Sequence, residues 1–141
     1  PTTAPTMTTP TDNYTLAQCH FHYGSEHTIG GEQAPFVAHC VHVRGNGTGR
    51  YGVLGIFFDT GSTENAFLKA IEDTLPPNAG GHRRLASSPT LDFNSLVAGL
   101  DLSQYWTYDG SLTTPPCNEV VDWYPLMQKA PMTGAQLAKF Q

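Results

Sequence analysis

The chain has 141 residues, 39% of them hydrophobic and only 13% charged, with 14 Gly, 11 Pro and a formal net charge of -5. That is one domain's worth of chain, long enough to bury a core. Its 7 Lys and Arg, clustered nowhere beyond Arg83-Arg84, leave no electrostatic footprint for nucleic acid, and no apolar run approaches the roughly 18 residues of a membrane span.

Residues 1–13, which open PTTAPTMTTPTD, offer almost nothing to bury and read as a Thr/Pro-rich flexible tail, with the folded domain over 14–141. Residues 14–23 alternate and are rich in aromatic and β-compatible side chains, which predicts a strand ending at Gly24-Ser25. A Gly30-Gly31 turn follows, and residues 36–44 form a second strand. If the two strands pair antiparallel with His20 opposite His39, Cys19 faces Cys40 on the reverse of the sheet, as two buried thiols or as a disulfide. After a turn at 45–50, the apolar run 51–59 predicts a buried strand. Ala66, Phe67, Ala70 and Ile71 recur at helical spacing within 62–75, with Ser62 or Thr63 as N-cap and Pro76-Pro77 as the stop. Residues 78–90 are loop, 92–100 contain a helical turn, 120–126 form a further strand and 137–140 begin a closing helix. Gly, Pro and short apolar runs together predict a mainly β protein with a few short helices (α+β). Three cysteines without a C-x-x-C spacing indicate neither a cysteine-rich zinc module nor a dense disulfide framework.

Five of the six histidines lie within residues 18–42. His20 and His22 are one residue apart, so a strand projects both imidazoles to one side, and His39 arrives on the neighbouring strand. Three neutral imidazoles are the ligand set of an open catalytic zinc site, whose metal lowers the pKa of a bound water to about 7. A lone histidine on a strand is more often structural, and His27 and His42 are read that way. Val41, Val53, Leu112 and Trp123 can supply a nonpolar pocket, Thr113 a hydroxyl that accepts from the metal's hydroxide, and Glu26 the acceptor for the proton of Thr113. Gln18, two residues before His20 and on its face, can hold the other nitrogen of that imidazole.

The blocks HFHYGSEHTIGG, AHCVH, VLGIFF, YWTYDGSLTTPPCNEVVDW and LAKF, in that order, resemble the α-class carbonic anhydrases from about Tyr14 to the end of the chain. The resemblance implies a twisted, mostly antiparallel central sheet of the α-carbonic anhydrase type, incomplete in this chain. It implies Zn2+ on His20, His22 and His39, a catalytic Thr113–Glu26 pair, and Gln18 in support of the first ligand. Val41, Val53, Leu112 and Trp123 then form the wall where CO2 sits, with Thr114 at the pocket edge and Tyr108 in a hydrogen-bonded network beneath. The implied reaction is reversible hydration of CO2 to bicarbonate and a proton, by hydroxide generated at the metal, with CO2 and bicarbonate as the small-molecule partners.

Three departures from the family pattern accompany the match. The family places a Glu two residues before the third ligand, where this chain has Val37. The family's segment before Tyr14, which carries a proton-shuttle histidine, and its end after Phe140 are absent, so a partial domain is expected. Cys117 matches the cysteine that pairs with an N-terminal one in secreted members. With the sequons Asn13-Tyr14-Thr15 and Asn46-Gly47-Thr48, it points to a secreted, extracellular or periplasmic glycoprotein. Two alternatives stand beside the enzyme: a catalytically weak relative used as a binding or structural module, and a cupin-like metal oxygenase in which Glu26 joins the histidines as a ligand.

Overall fold

Alternating side chains over residues 13–61 fold into three long strands that carry most of the sheet, as a computed structural model describing residues 4–72, 74–75 and 91–141 shows. The elements in order are β1 (Thr6–Thr8), β2 (Asn13–Tyr23), β3 (Thr28–Ile29), β4 (Glu32–Gln33), β5 (Phe36–Arg44), β6 (Tyr51–Gly61), α1 (Ala66–Glu72), α2 (Phe93–Leu96), β7 (Tyr108–Gly110), β8 (Val121–Pro125), β9 (Ala130–Thr133) and α3 (Gly134–Lys139). Seven strands make one sheet in the order β1-β2-β5-β6-β8-β7, with β9 also paired to β6. The β1–β2, β2–β5, β5–β6 and β7–β8 pairs are antiparallel, whereas β8 and then β9 run parallel to successive parts of β6. The architecture is the mainly β, α+β fold expected, with a mixed sheet.

Strand alternation gives the sheet two chemically different faces. On one face Ala38 and Cys40 of β5 and Ile56 and Phe58 of β6 join Phe67, Leu68 and Ile71 of α1, Leu96 of α2 and Met132 of β9 in the main core. On the other, Val37 packs with Ala34 and Phe57, and Val53 packs with Val121 and Trp123. The β2–β5 register keeps this separation through a bulge between Leu16 and Gln18. Leu16 before it and Cys19 and Phe21 after it all pack on the main core, although Leu16 differs in parity from the other two, because one extra residue reverses the alternation.

The expectation of a free tail is overturned over residues 6–12. β1 pairs with β2 through Thr6↔Thr15, Met7↔Tyr14 and Thr8↔Asn13, and Asp12 is ion-paired with Arg44. Threonine is β-branched and suits a pleated surface, and an edge strand is held by ladder hydrogen bonds even when its side chains bury little. The ring of the buried Tyr14 lies over Gly52, where a Cβ would come within 2.7 Å of Tyr14 Cδ1 and Cε1. Beneath it the Tyr14 hydroxyl donates to Asp122 Oδ2 at 3.1 Å, and Arg50 Nε donates to Asp122 Oδ1 at 2.9 Å.

Helix α1 starts later than the expected cap. Asn65, not Ser62 or Thr63, receives the Leu68 N–H on its side chain at 3.1 Å. Leu68 is fully buried, whereas Ala66 and Ala70 face solvent. Asn65 is itself gripped by α3, since Gln136 Oε1 accepts from Asn65 N and Gln136 Nε2 donates to Asn65 O, both at 2.9 Å. The expected loop at 78–90 and the Pro76-Pro77 stop lie outside the described residues.

Candidate metal centre

Register brings the three histidines together. His20 and His39 are direct partners across β2 and β5, and His22 lies two residues along the same face, opposite Val37. Ring centroids are 5.0 Å apart for His20 and His22, 5.5 Å for His20 and His39 and 4.8 Å for His22 and His39. One ligand nitrogen from each lies within 4.8 Å of the others. Gln18 Oε1 is 2.8 Å from His20 Nδ1. An amide oxygen only accepts, so that nitrogen carries the proton and Nε2 keeps its lone pair.

The centre disfavours the charged form of two of its imidazoles, His39 and His20. Burial, then the neighbouring His22, His20 and His27, push the His39 pKa down to about 3. Burial, then His22, lowers His20 as well, against the opposing charge of Glu26. Neutral imidazole is the ligating form. His22 Nε2 and His39 Nε2 are buried without a hydrogen-bond partner among the described residues. A zinc ion 2.0–2.1 Å from each nitrogen needs them about 3.4 Å apart, so the triad fits with a small closure of the rings, and the orphaned nitrogen of His22 suits a metal.

Glu26 and His27 are held by a loop built on Ser25. The buried Ser25 hydroxyl donates to His27 O at 2.5 Å and accepts from Ala34 N at 3.0 Å. Beyond it, Gly30 and Gly31, at φ +60° and +85°, close the β3–β4 hairpin, a two-residue turn that needs left-handed backbone twice. The loop directs Glu26 Oε2 to within 3.4 Å of His22 Nε2 and 3.6 Å of His39 Nδ1. Thr113 stands exposed beside the cis Pro115-Pro116 bond, as does Thr114. Among the described residues the Thr113 hydroxyl has no hydrogen bond, so none joins it to Glu26.

The apolar wall is assembled. Val53 and Trp123 are direct register partners on β6 and β8, and Val41 and Leu112 pack against them together with Val121 and Tyr51. The Trp123 ring lies 4.9 Å from that of His39, which places the wall beside the third histidine. Val121, fully buried, belongs to this wall and was legible from its position two residues before Trp123 on one strand face.

His27 lies beside the centre. Its ring sits 5.9 Å from His39 and 4.7 Å from Trp123, and its Nε2 shares a 2.6 Å hydrogen bond with Tyr108 Oη. Tyr108 thus reaches the centre through His27, a link that no short-range spacing in the chain announces. His42 faces the opposite side, where Nδ1 donates to Cys40 O at 2.8 Å.

Comparisons with known proteins agree on one family. A family model described as eukaryotic-type carbonic anhydrase matches residues 2–141. A carbonic anhydrase of Klebsiella pneumoniae is 37% identical over 139 residues, covering 99% of this chain and 54% of the relative. The solved α-carbonic anhydrase of Thermovibrio ammonificans, in complex with the inhibitor sulfanilamide, superposes with a TM-score of 0.80 at 39% identity over 93% of this chain and 55% of that one. Dioscorin complexed with ascorbate superposes with a TM-score of 0.83 at 27% identity, over 99% of this chain and 56% of that one. The chain spans about half the length of the curated relatives it matches.

Proposed function

The chain belongs to the eukaryotic-type carbonic anhydrase family, and on that premise we propose that it carries out zinc-dependent reversible hydration of CO2 to bicarbonate and a proton. The observation that supports this most directly is the convergence of the His20, His22 and His39 nitrogens within 4.8 Å, with burial disfavouring the charged form of His39 and His20. Zinc, when bound, supplies a Lewis acid that makes hydroxide available near neutral pH. His20 and His22 hold it from β2 and His39 from β5, while Gln18 fixes the tautomer of His20.

Val41, Val53, Leu112 and Trp123 supply a nonpolar surface beside His39 on which a small linear electrophile is desolvated, with Thr114 at its edge. Thr113 orients the attacking oxygen in this reading, and Glu26 takes its proton. Tyr108 steadies His27 beneath the centre. The family match leaves no place for a cupin-like oxygenase. Exposed sequon residues Asn13 and Asn46 support a secreted, glycosylated protein, and none of the described helices is long and apolar enough to cross a membrane.

One experiment tests the reading: express the chain, measure bound zinc by elemental analysis, and follow CO2 hydration with His39→Ala as control. Bound zinc and hydration that both vanish in the variant support it; a chain without metal overturns it. A second reading, a catalytically weak binding or structural module, is favoured by the fully buried Val37 and the unpartnered His39 Nε2. Zinc bound without hydration would select it.

A further inference from the structure

Directly behind the histidines, on the main-core face, lies a pair of thiols that the proposed chemistry does not use. Cys19 and Cys40 are register partners one rung from His20 and His39. Both are free. Residues directly opposed on antiparallel strands have Cα atoms about 4.5 or 5.5 Å apart, depending on the rung. Both values fall inside the roughly 4.4–6.8 Å Cα window of a disulfide, so the strand spacing permits the bond.

Access is graded in a way that favours a sequential reaction. Cys19 is half-buried, and Cys40 is 3% exposed. Cys40 also lines an apolar cavity of about 260 Å³ with Leu16, Leu54, Ile56 and Tyr124, which leaves room for its side chain to turn. The third thiol, Cys117, is exposed on the cis-proline loop.

We propose that Cys19 and Cys40 are an oxidation site, which a low-molecular-weight disulfide of the glutathione class converts to a cross-strand disulfide that pins β2 to β5 beside the His20–His39 rung. Cys19 sulfur attacks the reagent disulfide and displaces one thiol. Cys40 sulfur then attacks Cys19 sulfur and displaces the second. Two protein thiols are oxidised, one reagent disulfide is reduced to two thiols, and those thiols take up the two protons. The bond fixes the spacing of the two strands from which His20 and His39 project, so the oxidised form releases zinc more slowly.

The test uses the unaltered, zinc-loaded chain, incubated with oxidised glutathione and mapped by differential alkylation and peptide mass analysis. The expected result is a Cys19–Cys40 linkage, with Cys117 outside it, and several-fold slower zinc transfer to a chelator than from the reduced chain. Glutathione retained on Cys19 with Cys40 still alkylatable, or Cys117 joined to either thiol, would overturn the site. A Cys19–Cys40 linkage with unchanged or faster zinc transfer would overturn the pinning. The linkage itself needs no metal, so a chain that holds no zinc counts against the hydration reading alone.

Discussion

His27 Nδ1 and His39 Nε2 are both buried without a hydrogen-bond partner among the described residues, on rings whose centroids lie 5.9 Å apart. Val37 shares the strand face of His39, two residues before it, and offers neither nitrogen an acceptor. A carboxylate at this position has a donor to meet on His39, and on His27 when Tyr108 takes the other nitrogen. Val37→Glu is therefore expected to tighten zinc binding by roughly 10 to 100-fold, the usual worth of such a support. It should also cost the metal-free protein about 1–3 kcal/mol, because a longer, polar side chain enters a filled cluster. Zinc competition titrations and urea melts of the metal-free chain read the two effects separately.

Gln18 already does for His20 what position 37 does not do for His39. Gln18→Ala removes the 2.8 Å acceptor and frees the ring to rotate and to change tautomer. Zinc affinity should fall by about tenfold or more, with little change in the metal-free melt because Gln18 is exposed. Equal losses in both measurements would make Gln18 a structural residue instead.

Acid should unfold the metal-free protein from within this centre. His39 titrates at about 3 in the fold against roughly 6.5 in an unfolded chain. Neutrality of His39 thus contributes stability that is fully present above pH 6.5 and is lost progressively as pH falls toward 3. At pH 5 the loss from His39 alone is roughly 2 kcal/mol. Burial lowers His20, His27 and His42 in the same direction. Urea midpoints measured at pH 7.5 and pH 5 should separate accordingly, and the gap should shrink in His39→Gln.

Gln136 is the joint between α3 and α1. Its buried amide receives Asn65 N and donates to Asn65 O, and its backbone N–H donates to Thr133 Oγ1 in a capping box. Gln136→Leu is nearly isosteric but strands two buried backbone groups of Asn65, at about 1–3 kcal/mol each at most. Thermal melts should register the loss, whereas Glu64→Leu nearby on the exposed surface should leave them nearly unchanged.

The parts of this fold that follow from short-range pattern were readable in the chain. β5 runs Phe36–Arg44 as expected, β6 covers the apolar run from Tyr51, and Cys19 opposes Cys40 because two alternating strands with His20 opposite His39 permit no other pairing on that rung. Non-local contacts were not readable. β1 buries little, so composition made it a tail, and the cap of α1 was misplaced because Asn65 is fixed by Gln136, 71 residues away. The hydrogen bond between His27 and Tyr108 joins residues 81 apart, so no local pattern announced it. Thr113 and Glu26 were named from hydroxyl and carboxylate chemistry and from the resemblance, and no short-range pattern links two residues so far apart in the chain.

The bulge at Ala17 bears on all of this. Strand β2 must show the core Leu16 at one end and Phe21 at the other, while presenting Gln18, His20 and His22 to the metal side, and no unbroken two-residue period satisfies both. Ala17 is a phase shift of one residue written into the strand. Its side chain is dispensable, but its presence in the count is not: a deletion there would leave one half of β2 inside out, either burying histidines in the core or turning Leu16 to the metal. The chemistry of the centre therefore depends on the length of this segment as much as on the identity of its ligands.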